Sequence, residues 1–162
     1  MAGIMNTQST VGPLPTLPGT TLPRATRISL LALQGLVAFT AALGGAALVL
    51  GSLAPELSTV LSPPAEHLAG SPFSSYLVPG LLLALVVGGT QAVAFILGVT
   101  RHDLTLPAAA VAAVGLLIWV FVQMVFIPFS FLQAIYFLVA IAETCLVLLA
   151  LGILRPLARL TR

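Results

Sequence analysis

FLQAIYFLVAIAETCLVLLALGIL, residues 131–154, is the stretch on which the fold turns. It holds one acid, Glu143, and no arginine, and at about 1.5 Å per helical residue it is long enough to cross a hydrocarbon layer about 30 Å thick. A carboxylate at mid-span is expensive in lipid, so Glu143 is expected to face other helices and either keep its proton or meet a donor. At helical spacing it shares a face with Tyr136, Ala140, Val147 and Ala150.

Three further stretches meet the same length requirement: about Ile28–Leu53, Leu77–Val99 and Leu106–Ile127. The whole chain agrees with them. Of its 162 residues 59% are hydrophobic and 6% charged, against about a quarter charged in a soluble domain, so no water-facing surface can be built from it. Mean hydropathy is +1.17. The sequence therefore predicts an all-α protein, a bundle of four transmembrane helices formed as one membrane domain over residues 28–155.

Arginine placement sets the expected orientation. All six basic residues are arginines: Arg24 and Arg27 before the first span, Arg101 between the second and third, and Arg155, Arg159 and Arg162 after the fourth. The alternate segments, residues 54–76 and the turn around Pro128, contain none. Cytoplasmic loops carry the Lys/Arg excess, so both termini are expected inside. The net charge of +2 follows from this topology, and without a basic patch interleaved with aromatics it points to no nucleic-acid partner.

Residues 1–27 read as a disordered cytoplasmic tail rich in Thr, Pro and Gly, and 156–162 as a short basic one. Arg24 and Arg27 ahead of an apolar run, with Ser52-Leu53-Ala54 after it, imitate a signal peptide. The run far exceeds the 7 to 15 residues of a signal core, which makes it an uncleaved first span. In the tight turn before the fourth span, Pro128 stops the third helix and Ser130 with Gln133 completes a capping box.

Small residues suggest which helices approach closely. The first span carries Gly35, Ala38, Ala41, Ala42, Gly44, Gly45 and Ala46, and in the second Gly80, Ala84, Gly88 and Ala92 recur every fourth residue as one ridge. Such ridges let backbones touch in lipid, where no hydrophobic force draws helices together. The second helix is read as a central packing element, with a homodimer seam as the competing reading.

Each span has about one polar side chain to explain: Gln34, Gln91, Gln123 and Glu143. Gln91, three residues after Gly88 and seven after Ala84, is placed on the ridge, facing neighbouring helices. Glu143 is either a neutral carboxyl bonded to Gln91 or another polar neighbour as interhelical glue, or a group that handles protons or substrate. Gln123 with Trp119 could line a pocket toward the outer leaflet, although Trp more often fills a core or marks the interface. His67 and His102 fall on opposite sides of the membrane and cannot share a metal or a haem, Cys145 has no partner for a disulfide, and no nucleotide-binding or hydrolase motif occurs. No cofactor or metal is indicated, and no catalytic residue can be proposed.

The second hairpin, with Trp119, Gln123, the Phe129-Ser130-Phe131-Leu132-Gln133 turn, Tyr136 and Glu143, resembles small uncharacterised four-helix bacterial membrane proteins of the DoxX-like kind. The resemblance covers about residues 72–155 and implies a fold without a reaction. Two functions are expected to compete: a non-catalytic accessory or scaffold subunit, or a small carrier, proton-coupled or not, using Glu143 with Gln91 and Gln123. The partners expected are the lipid bilayer and either a homo-oligomer or a larger membrane complex, and the abundance of Ala, Gly and Leu with Arg in place of Lys hints at a bacterial plasma membrane.

Overall fold

A computed structural model describes residues 23–69 and 71–153. Four helices in it are long and apolar enough to cross a membrane: α1 (Arg24–Leu53), α3 (Leu77–Val99), α4 (Thr105–Phe126) and α5 (Phe131–Ala150). Between the first two lie a two-turn helix, α2 (Pro55–Leu61), and a 3₁₀ turn, Ala65–Leu68. No strand occurs among the described residues.

The spans pack in sequence order, α1 on α3, α3 on α4 and α4 on α5, and a smaller α1–α5 contact closes the bundle. Val37, Ala41, Val87, Leu116, Val120 and Ala140 form one buried apolar cluster, and Leu30, Ala109 and Val147 a second. The outer surface is apolar too. Leu36, Phe39, Leu43, Leu85, Ile118, Phe121 and Leu138 are each more than half exposed, a surface that lipid solvates and water does not.

The closest backbone approach is α1 against α3. A Cβ placed on Gly45 would lie 2.5 Å from the Gly80 carbonyl oxygen and 2.6 Å from Ala84 Cβ, and one on Gly80 would lie 2.9 Å from the Gly45 carbonyl oxygen. Only hydrogen fits at that crossing. Further along, Gly88 faces Ala38, Ala41 and Ala42, so the ridge of small residues on α3 does seat against the small residues of α1.

Two expected boundaries move by more than one residue. α1 starts at Arg24 rather than at residue 28, because the Arg27 guanidinium donates from Nε and Nη2 to Gly98 O at 3.1 and 3.0 Å, and from Nη2 to Val99 O at 3.1 Å. Those are carbonyls of the last turn of α3, so one side chain both anchors the first turn of α1 and caps the negative end of α3. α5 ends at Ala150 rather than at 154. Ile153 N–H donates to Leu148 O and Gly152 N–H to Leu149 O, with Gly152 left-handed at φ 77°, a helix stop in which glycine carries the turn. α3 ends in the same way, with His102 N–H on Leu97 O and Arg101 in the left-handed position at φ 55°.

The caps at the turn around Pro128 agree with the sequence. Ser130 Oγ accepts from Gln133 N–H, and Gln133 Oε1 accepts from Ser130 N–H. Ile127, before Pro128, is extended and terminates α4. The segment after α1 is folded back by Tyr76, whose Oη donates to Pro64 O at 2.9 Å.

Candidate functional site

The site is built from side chains that lipid cannot solvate. Glu143 on α5 and Gln91 on α3 are both 0% exposed, and Gln91 Nε2 donates to Glu143 Oε2 at 2.8 Å. The same amide reaches the Ala112 carbonyl of α4 at 3.4 Å, so one glutamine joins three helices. Two oxygens of the pair, Gln91 Oε1 and Glu143 Oε1, are buried without a hydrogen-bond partner. Their needs are complementary: a proton on Glu143 Oε1 requires an acceptor, and Gln91 Oε1 is an acceptor that requires a donor. A protonated Glu143 beside Gln91 would carry no charge, which suits a bilayer interior.

Gln34 of α1 is 2% exposed and belongs to the same layer. It lies one turn from Leu30, which packs with Ala109 and Val147, and one turn from Val37, which packs with Leu116 and Ala140. Glu143 occupies the corresponding gap on α5, between Ala140 and Val147, and Ala112 the gap on α4, between Ala109 and Leu116. Three polar side chains from three helices thus form a belt between two apolar clusters.

A turn of π-helix, Leu83–Gly88, brings Gln91 to this belt. In an unbroken α-helix Gln91 would fall within about 20° of Gly80 around the axis, facing α1. Bonding i to i+5 takes one extra residue into the turn and rotates the remainder of the helix by about 100°. Gly80, Ala84 and Gly88 therefore keep their places toward α1, while Gln91 turns to α4 and α5. This corrects its expected place on the ridge. Ala92, expected to end the ridge, is half-buried, and the buried positions beyond the π turn are Gln91, Ala94 and Gly98.

Gln123 does not join the pair. It is half-buried on α4 about 16 Å along the helix from Ala112, toward the Pro128 turn. Trp119 packs against the larger apolar cluster, with its indole Nε1 buried and unpartnered. Of the arginines that set the orientation, Arg24 and Arg101 are exposed and Arg27 caps α3, which puts all three at one end of the bundle. Arg155, Arg159 and Arg162 lie outside the described residues. The capping role of Arg27 and the reach of Gln91 to Ala112 were missed in the sequence, since neither has a local signature. Among the described residues no group of three or more His, Cys, Asp or Glu side chains is placed to hold a metal ion.

Fold and site together define a multi-pass helical bundle of membrane-protein type with a buried polar belt at its centre. Compared with known proteins, the chain matches no family model, no curated protein and no solved structure.

Proposed function

We propose that the protein is a non-catalytic accessory or scaffold subunit of a bacterial plasma membrane, with both termini cytoplasmic, acting through helix packing within a homo-oligomer or a larger membrane complex. The observation that carries this reading is the occlusion of Gln91 and Glu143. Their hydrogen bond is shut off from water and ties α3 to α5, as interhelical glue requires. Close backbone contact at Gly45 and Gly80 supports it, and the arginine distribution supports the orientation. The DoxX-like resemblance of the second hairpin is in keeping with a small bundle of this kind.

A water-soluble maleimide tests it. Cys145 is exposed, so it is first replaced by Ala. Single cysteines are then introduced as Glu143→Cys and, as a near-isosteric neighbour, Thr144→Cys. In intact membranes neither is expected to label until the protein is unfolded in detergent. The two unpartnered oxygens favour a second reading, a carrier that loads a proton or a small donor at Glu143. Labelling of both cysteines in intact membranes would establish the water path that a carrier needs and would overturn the scaffold reading.

A further inference from the structure

A groove about 560 Å³ in volume runs along the lipid-facing seam of α3 and α4. Leu85, Gly89, Thr90, Val93 and Leu97 form one wall, and residues from Leu104 to Val111 form the other. Its depth comes from small residues: a Cβ on Gly89 would meet nothing within 4 Å, and Ala108 stands on the opposite wall. Its one hydroxyl, Thr90 Oγ1, is consumed by the Val86 carbonyl of its own helix at 2.7 Å. The walls thus offer a ligand no polar partner.

Leu85 to Leu97 spans about 18 Å along the axis, close to the 15 Å or so of one leaflet's hydrocarbon. The groove ends at the loop after α3, between Leu97 and Leu104, where His102 N–H is bonded to Leu97 O and Thr105 Oγ1 to the same carbonyl at 2.9 Å. Arg101 stands on that loop, exposed, in a left-handed backbone conformation that costs a residue with a side chain about 1 kcal/mol or more. An apolar groove about one leaflet deep that ends at a loop carrying an exposed cation complements an anionic phospholipid in shape and charge.

We propose that the α3–α4 groove holds one acyl chain of an anionic phospholipid whose phosphate pairs with Arg101. Asp103, exposed on the same loop, opposes the phosphate, so the two side chains tune lipid preference in opposite directions. A basic residue at the membrane surface changes the affinity for anionic lipid by about fivefold.

The full-length protein is reconstituted in nanodiscs of equal phosphatidylglycerol and phosphatidylcholine, extracted gently, and its retained lipids are counted by native mass spectrometry. The wild type is expected to retain phosphatidylglycerol in preference to phosphatidylcholine. Arg101→Gln reduces that preference about fivefold, and Asp103→Asn increases it. Gly89→Leu, which fills the groove without touching the core, abolishes retention of either lipid while leaving the unfolding midpoint in place. Equal retention of the two lipids by the wild type, or an Arg101→Gln protein with unchanged preference, would overturn the phosphate contact. Unchanged retention in Gly89→Leu would overturn the groove as the site. A wild-type dimer that Gly89→Leu converts to monomer would show that a second copy fills the groove, and would overturn the lipid assignment as well.

Discussion

If the belt is glue, breaking one side of the Gln91–Glu143 pair must cost more than removing both. Glu143→Leu takes away the 2.8 Å bond and leaves the Gln91 amide with only the 3.4 Å contact to Ala112 O, in a place with no water. An orphaned buried amide costs about 1–3 kcal/mol. Gln91→Leu strands the carboxyl instead, and at 0% exposure it is expected to cost at least as much. The double substitution Gln91→Leu with Glu143→Leu removes both polar groups and puts side chains of similar volume in their place, which is close to neutral in such cases. The two single losses together should therefore exceed the loss in the double variant by about 2 kcal/mol or more of coupling. Glu143→Gln is the internal control. Its new amide can accept from Gln91 Nε2 and donate to the unpartnered Gln91 Oε1, and stability is expected to stay within about 0.5 kcal/mol of the wild type. Unfolding in mixed micelles with increasing denaturing detergent, followed by helical circular dichroism, measures the wild type and all four variants. Simple addition of the single effects in the double variant would refute the pairing, and a collapse of Glu143→Gln as deep as that of Glu143→Leu would mean that ionisation, not hydrogen bonding, is what the position requires.

Three other outcomes rest on particular contacts. Gly45→Ala places a methyl 2.5 Å from the Gly80 carbonyl and should cost about 1–3 kcal/mol by forcing α1 from α3, whereas Gly89→Ala, with nothing within 4 Å, should leave the detergent midpoint within about 0.5 kcal/mol. Arg27→Met removes the bonds to Gly98 O and Val99 O, and should lower stability by about 1.5–3 kcal/mol and raise proteolysis near Arg24, read by limited trypsin digestion. Burial pushes the Tyr76 phenol above its ordinary 10.0, so the fold favours its neutral form. Its contribution is complete below about pH 10 and is lost as pH rises through the elevated value. A pH titration of stability should fall there, and Tyr76→Phe, which has no phenol to ionise, should remove that drop while lowering the plateau.

Much of this fold is written in local chemistry. Span length is a count of apolar residues, and the stop at Pro128 and the Ser130–Gln133 box each need only a few neighbouring side chains, so these features stand where the sequence puts them. The Gly152 stop is equally local, but a count of apolar residues passes over it, and α5 is correspondingly shorter than the apolar run that contains it. The start of α1 is not local. Thr26 and Arg27 look like the end of a polar tail until the carbonyls of Gly98 and Val99, 71 and 72 residues beyond Arg27 in the chain, are brought beside them.

The belt was half legible for a deeper reason. Polar residues in lipid announce themselves by cost, so Gln34, Gln91 and Glu143 could all be named, and burial is the place cost sends them. Which helix each one faces depends on angles that accumulate along the span, and a single π turn resets them. With uniform α geometry Gln91 would share the face that Gly80 turns to α1, away from Glu143. The extra residue in Leu83–Gly88 uncouples two demands that one straight helix could not meet: small residues against α1 for close backbone approach, and an amide against α4 and α5 to satisfy a carboxyl. Apolar residues such as Leu83, Leu85, Val86 and Val87 suit an α or a π turn equally well, so nothing in their identity marks the change. Gly88 and Gly89 are the only hint, and two glycines in a span already read as a packing ridge have an explanation of their own. The position of the polar partner, more than the presence of the acid, is therefore what makes the centre of this bundle a paired site.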